Sequence, residues 1–410
     1  MTLTGLILAI ILLAAAAHFG SIAVLLLRRH RPARQQAGRP PVTILRPVCG
    51  LENHIEATLA STFAIRYPRY EIIFCVARAD DPVVPLVRRL MEEHPRVPAR
   101  LLVGDDRISI NPKLNNLVKG WSAAHHDWIV MADSNVLIPP DYIDRLLQAW
   151  TKDAGLVCSP PVGVLPEGAA AELECAFLNS HLARWELVGD EIGSGFALGK
   201  TMLWRRDDLE TAGGIGALAA GPAEDTSATK LIRAMGKRIR LVAEPFAQPL
   251  GKRRLKEVWQ RQLRWARLHR ASFPAVYALQ GLAGGVIPLA CAAALAAFGA
   301  FPVSLFVLLF VAWYGAEVGL AWRYGWPISV RIAFLLVLRD LILPALWVAG
   351  WVGSRFTWRG NAIDIGTVTG QDPVRRLVEQ WRRASVLRLL TALGASRRPR
   401  EADQAGPSRR

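Results

Sequence analysis

The chain has 410 residues, 52% of them hydrophobic and 20% charged, with a mean hydropathy of +0.22. That balance excludes both a wholly soluble globule and a chain made only of spanning helices, and leaves room for one sizeable soluble core beside a few apolar helices. The net charge of +16 raises nucleic acid as a partner. The arginine excess, however, flanks apolar segments, a placement that suits anionic lipid headgroups and implies no nucleic-acid partner.

Leu3 to Leu27 is long enough to cross a hydrocarbon core, and Arg28, Arg29, Arg31, Arg34 and Arg39 follow it. Apolar first and basic second is the order of an anchor whose C-terminal flank stays in the cytoplasm, not of a cleaved secretory signal. Residues 1–27 are therefore read as an N-terminal transmembrane anchor and residues 40–250 as a cytoplasmic domain.

Within that domain Val42 to Pro47 is a short β-branched run closed by proline, and Leu51 to Thr62 has helical spacing. The alternation repeats: strand Glu71 to Val76, helix Pro82 to Glu93, strand Ala99 to Val103, helix Leu114 to Ala123, strand Trp128 to Ala132, helix Tyr142 to Trp150. Alternating strands and helices predict an α/β fold with a mainly parallel sheet and helices on both faces, whose ligands bind beyond the carboxyl ends of the strands.

That rule singles out Asp80 and Asp81 after one strand and Asp133-Ser134-Asn135 after another. The first pair suits a helix cap ahead of Pro82 as well as a ligand role. Asp133 and Asn135 can offer oxygens on one side of a turn, as a hard divalent cation such as Mg²⁺ or Mn²⁺ requires. Asn111-Pro112-Lys113 opens a helix, either as an anion site or as a plain proline turn with an asparagine cap. Glu224 and Asp225 likewise suit both a catalytic role and an ordinary acidic helix start. Gly193 to Lys200 is a glycine-rich loop that suits either shaping an acceptor entrance or a plain flexible connection. Cys49, Cys75, Cys158, Cys175 and Cys291 form no C-x-x-C pair, which argues against a zinc site or a disulfide framework.

Residues 252–275 interleave arginines with Leu255, Val258, Trp259, Leu263, Trp265 and Leu268, the pattern of an amphipathic helix lying in the membrane interface. Three apolar stretches follow, Leu279 to Ala300, Phe301 to Trp322 and Val330 to Val352. If all three crossed, the basic tail 354–410 would lie outside, against the positive-inside tendency. The first, with Gly281, Gly284, Gly285 and Pro288, is therefore read as re-entrant or interfacial, and the tail, with an amphipathic Val374 to Leu393, as cytoplasmic.

The order of these elements resembles the ceramide glucosyltransferases and their bacterial relatives, inverting GT-A-type enzymes that also include hopanoid-associated transferases. The residues that carry the resemblance are Leu45-Arg46-Pro47, Asp80-Asp81-Pro82, Ile110 to Leu117, Asp133-Ser134, Ser180-His181, Ala223-Glu224-Asp225 and the Q/R-x-x-R-W signature Arg261 to Trp265.

The resemblance implies a GT-A-type Rossmann-like domain between transmembrane helices, acting at the bacterial inner membrane. Its donor would be a UDP-sugar, its acceptor ceramide or a similar lipid, and its cofactor a divalent cation. Asp225 would be the general base. Asp80, Asp81, Lys113, Asp133, His181 and Arg264 would hold the donor, Asp133 and Asn135 the metal, and Trp265 and Glu224 the acceptor. Asn135 departs from the second aspartate of many GT-A enzymes. Within the same chemistry, a processive polysaccharide synthase would need more spanning helices, and an inactive scaffold would not need Asp133 and Asp225.

Overall fold

The strands at the centre of the sheet are buried and mostly apolar, as strands covered on both faces by helices must be. β1 (Val42–Val48) is buried at every position, and β2 (Tyr70–Val76) at all but its first. The computed structural model describes residues 2–28, 38–358 and 361–367. Arg29, Arg31, Arg34 and the amphipathic stretch 374–393 lie outside them.

β3 (Ala99–Val103), β4 (Trp128–Ala132), β5 (Ala154–Cys158), β7 (Thr201–Arg205) and β8 (Arg238–Leu241) complete a seven-stranded sheet in the order β3-β2-β1-β4-β7-β5-β8. All neighbours pair in parallel except β7, which runs antiparallel to both β4 and β5. β6 (Val162–Glu167) and β9 (Ala247–Lys252) pair separately, in parallel.

Helix Pro112–Ala123 lies so close to the sheet that a Cβ on Gly120 would fall 2.5 Å from Cys75 Sγ. Arg46, within β1, is fully buried and donates to the carbonyls of Thr58 (3.0 Å) and Ser134 (3.2 Å). A guanidinium buried in a strand needs such acceptors, and here they pin the turn that carries Asp133.

Among the described residues three helices, Leu3–Leu27, Val303–Arg323 and Ile332–Trp351, are long and apolar enough to cross a membrane. At 1.5 Å per residue each reaches about 30 Å or more. The stretch read as one apolar segment from Leu279 to Ala300 is instead broken by a glycine turn. A helix Pro274–Gln280 is followed by a second, Val286–Ala297, of 12 residues, which at about 18 Å is shorter than a hydrocarbon core.

Charged groups buried between these helices are held in ion pairs, as an apolar setting demands. Arg339 forks onto Glu317 (2.7 and 3.0 Å), reaches Asp340 (2.6 Å) and donates to Ser180 Oγ (2.6 Å), tying two apolar helices to the wide, π-helical stretch 176–183. His18 stacks on Trp313 with ring centroids 3.8 Å apart.

The basic helix forms as Leu255–Ser272 and packs on Ile332–Trp351. Several of its cations have protein partners. Arg267 donates to the Arg355 and Val352 carbonyls and Arg270 to those of Trp351 and Gly353, so they cap the C-terminal end of the neighbouring helix, where the dipole favours positive charge.

Candidate active site

A cavity of about 780 Å³ opens beyond the carboxyl ends of β1 and β4. Its walls come from distant segments: Pro47 to Cys49 after β1, Asp133 to Asn135 after β4, Phe196 to Lys200 before β7, Ala223 to Thr226, the Arg261, Arg264 and Trp265 face of the basic helix, and Thr357 and Trp358. Those last two belong to a hairpin of β10 (Arg355–Trp358) and β11 (Asn361–Asp364).

The floor is a charge cluster centred on Lys113. Asn111 caps the helix, accepting from the Lys113 and Leu114 amides at 3.0 and 3.3 Å, and so aims the Lys113 side chain inward. Lys113 Nζ meets Asp133 Oδ1 and Glu224 Oε1, both at 2.6 Å, and donates to the Gly199 carbonyl at 2.5 Å. Glu224 Oε2 accepts from Asn111 Nδ2, so both of its oxygens are engaged and its carboxylate is buried.

Asp225 is held differently, by backbone only: Gly199 N–H donates to Oδ2 (3.1 Å) and Thr226 N–H to Oδ1 (2.7 Å). A Cβ on Gly199 would come within 2.8 Å of Glu224 Oε1 and 3.2 Å of Asp225 Oδ2, so the close approach of this loop requires glycine.

The acids are tuned apart. Burial raises the Asp225 carboxyl, the neighbouring Glu224 charge adds to it, and the result is about 7. Burial would raise Asp133 too, but the ammoniums of Lys113 and Lys200 outweigh it and hold the carboxyl at about 2. Glu186, also in the wall, is pushed to about 8 by burial and then by Asp225. An acid poised near neutrality beside one that stays ionised is how two carboxylates in one cleft take different roles.

The structure brings Lys113, Asp133, Asn135, Glu224, Asp225, Arg264 and Trp265 together in the cavity wall. It does not bring in Asp80, Asp81 or His181. Asp80 is exposed and paired with Arg78 (2.5 Å), and Asp81 accepts from the Gly50 and Val83 amides at 2.9 Å each, a cap and loop anchor. His181 sits on the π-helical stretch near Arg339 and Arg184, where burial first and those cations second lower it to about 3. The donor contacts expected from these three residues thus have no counterpart in the lining of the cavity.

Sequence reasoning missed Lys200 and Glu186 as site residues and Arg46 as the turn's anchor. The β4–β7 register, Ala132 opposite Thr201, puts Lys200 across from Asp133, and Asp133 N–H donates to the Lys200 carbonyl at 3.0 Å. Lys200 Nζ lies 3.0 Å from both Asp133 Oδ2 and Asn135 Oδ1. The oxygens expected to ligate a divalent cation therefore already share an ammonium. Among the described residues no three His, Cys, Asp or Glu side chains cluster as a metal site. The set does not fit a divalent cation while Lys200 stays in place.

A mainly parallel sheet with one antiparallel strand inserted, and at its carboxyl edge an acid facing a cavity lined by basic side chains, is the arrangement of a GT-A-type glycosyltransferase. The known sequences narrow the class. The profile described as Glycosyl transferase family 21 matches residues 6–370, and the chain belongs to that family.

It is 24% identical over 348 residues to ceramide glucosyltransferase 3 of Caenorhabditis elegans, covering 82% of this chain and 75% of that one. It is 28% identical over 287 residues to the ceramide glucosyltransferase of Komagataella phaffii, 56% of each chain. Among solved structures, a mannosyltransferase from Pyrobaculum calidifontis in complex with GDP-Man and Mn²⁺ aligns over 84% of this chain and 98% of its own, with 19% identity and a TM-score of 0.46.

Proposed function

We propose that this glycosyltransferase moves a glucosyl group from UDP-glucose onto the primary hydroxyl of ceramide, with inversion, at the cytoplasmic face of a bacterial inner membrane. The observation that carries the lipid acceptor is the continuity of the cavity with the apolar helices. Phe196 and Phe273 meet edge to face at 5.2 Å in the wall, His269 and Tyr277 continue the aromatic row, and Tyr277 reaches Trp351, at the end of a spanning helix, at 5.5 Å. A two-chain lipid loses roughly 0.8 kcal/mol per CH₂ on entering water, so the site must meet it at such an edge.

In this reading the acceptor hydroxyl attacks the anomeric carbon while Asp225 takes its proton. The bond from that carbon to the diphosphate oxygen breaks with its electron pair, and Arg261, Arg264 and Lys200 face the departing charge. Glu224, with both oxygens engaged, positions Lys113 and raises Asp225 rather than acting as base. With Asp225 acting as base and no side chain attacking the sugar, the scheme is a single displacement, which inverts the anomeric carbon. The full-length protein in nanodiscs, given UDP-glucose and ceramide, is expected to yield a β-linked product by proton NMR of the anomeric signal. An α-linked product would refute inversion.

The same reading sets the topology. Thr357, Trp358 and Asn361 line the cavity, which supports placing this hairpin on the side of the catalytic domain. In this reading helices Val303–Arg323 and Ile332–Trp351, both long and apolar enough to cross, supply the two crossings required, and the 12-residue helix Val286–Ala297 is assigned none. Reporters inserted at Gly104 and after Thr367 are expected to read cytoplasmic together. Opposite signals at the two positions would break the pairing of the crossings.

A further inference from the structure

Among the described residues that line the cavity, Lys200 is the one cation that neither a motif nor the resemblance assigns. Its position is built in: the β4–β7 register sets it opposite Asp133, and its ammonium is shared by Asp133 Oδ2 and Asn135 Oδ1 at 3.0 Å each. Lys113 takes the other Asp133 oxygen. On its far side, the Asn135 amide nitrogen donates to Glu52 Oε2 at 3.3 Å, which fixes the amide with its oxygen toward Lys200. A divalent cation held by Asp133 and Asn135 would have to occupy the point where this ammonium sits, and the two positive charges would repel.

We propose that Lys200 is the resident cation of the donor site, taking the place of a divalent metal ion at the diphosphate. The proposal rests on the nucleotide-sugar reading above. An ammonium is a compact point charge with three donors, suited to phosphate oxygens, and Asp133 and Asn135 hold it as they would hold a metal. When the bond between the anomeric carbon and the phosphate oxygen breaks, the electron pair stays on that oxygen beside Lys200. The new bond forms to the acceptor oxygen, whose proton passes to Asp225. Arg261 and Arg264, in the same wall, share the remaining diphosphate charge.

The test uses the full-length protein in nanodiscs with UDP and Mn²⁺ as separate probes. By calorimetry, UDP is expected to bind equally in excess EDTA and in Mn²⁺, and K200M is expected to weaken it by about 10- to 100-fold, the range for a charge-assisted contact. By Mn²⁺ electron paramagnetic resonance, the wild type is expected to show no tight site. K200A is expected to gain one, and K200A/D133N to lose it again. UDP binding that appears only with Mn²⁺, a tight Mn²⁺ site in the wild type, or wild-type affinity in K200M would each overturn the proposal. The wild-type arms decide it even if the Lys200 variants do not fold. If UDP binds in EDTA but no sugar reaches ceramide, the acceptor reading fails while Lys200 stands. If UDP needs Mn²⁺ and ceramide is glucosylated, the reverse holds.

Discussion

Replacing Asp225 with asparagine is expected to lower turnover by about two to four orders of magnitude, the usual span for a positioned base, while UDP binding changes little. Asparagine keeps the size of the side chain and an oxygen for the Gly199 or Thr226 amide, but it cannot take the proton.

The pH dependence gives this prediction a second readout. With the carboxyl at about 7, the base is protonated as pH falls through 7, so the wild-type rate should drop on the acid side with a midpoint near 7, a limb that D225N lacks. Glu224→Gln removes a charge that raises Asp225, so its midpoint should move to lower pH with turnover largely kept above it. The stability sign follows from the same shift. The folded state holds this proton more tightly than the unfolded chain, whose aspartates titrate at about 3.9. The resulting stabilisation is full below that value and is lost as pH rises through about 7. At pH 8 D225N should therefore melt no lower than the wild type. Near-normal turnover in D225N, or loss of activity accompanied by unfolding, would remove Asp225 from the role of base.

The second large effect is expected at Lys113. Its ammonium, with a side chain only 9% exposed, lies 2.6 Å from each of two carboxylates, Asp133 and Glu224. Removing one partner of a buried pair is far more damaging than never having had the pair, by about 3 to 5 kcal/mol, because the other charges remain. Lys113→Met should lower the melting temperature in detergent by roughly 10 °C. It should also push the acid limb of any residual activity upward, since Lys113 lowers Asp225. The double variant K113M/E224Q should recover part of the melting temperature by removing the stranded charge. Additive losses in the double variant would mean that the contact carries no coupling.

The first half of the domain was legible because its physics is local. From Val42 to Trp150 each strand is a short, mostly apolar run and each helix has its own period, so the alternation that implies a parallel sheet stands in the sequence. Beyond Trp150 the signals are long-range. β6 contains Gly163 and Pro166, β9 contains Pro249 and Gly251, and each is stabilised by a partner more than eighty residues away. β7 enters the sheet antiparallel, which no local pattern announces.

The same distance hid Lys200, whose partner Asp133 lies 67 positions away and whose glycine-rich approach reads as a plain connection. Asp80, Asp81 and His181 lie outside the lining of the cavity. Their residue types suit a ligand site, yet Asp81 serves backbone amides, Asp80 pairs with Arg78, and His181 lies by the arginines that join the domain to the apolar helices.

The central claim, glucosyl transfer to ceramide by this site, is tested most directly by lipid mass spectrometry of a heterologous bacterial host that expresses the chain and is fed ceramide. A hexosyl ceramide is expected with the wild type and is expected to be absent with D225N expressed at the same level. A hexosylated lipid of another class in place of hexosyl ceramide, or equal hexosyl ceramide from D225N, would contradict the account.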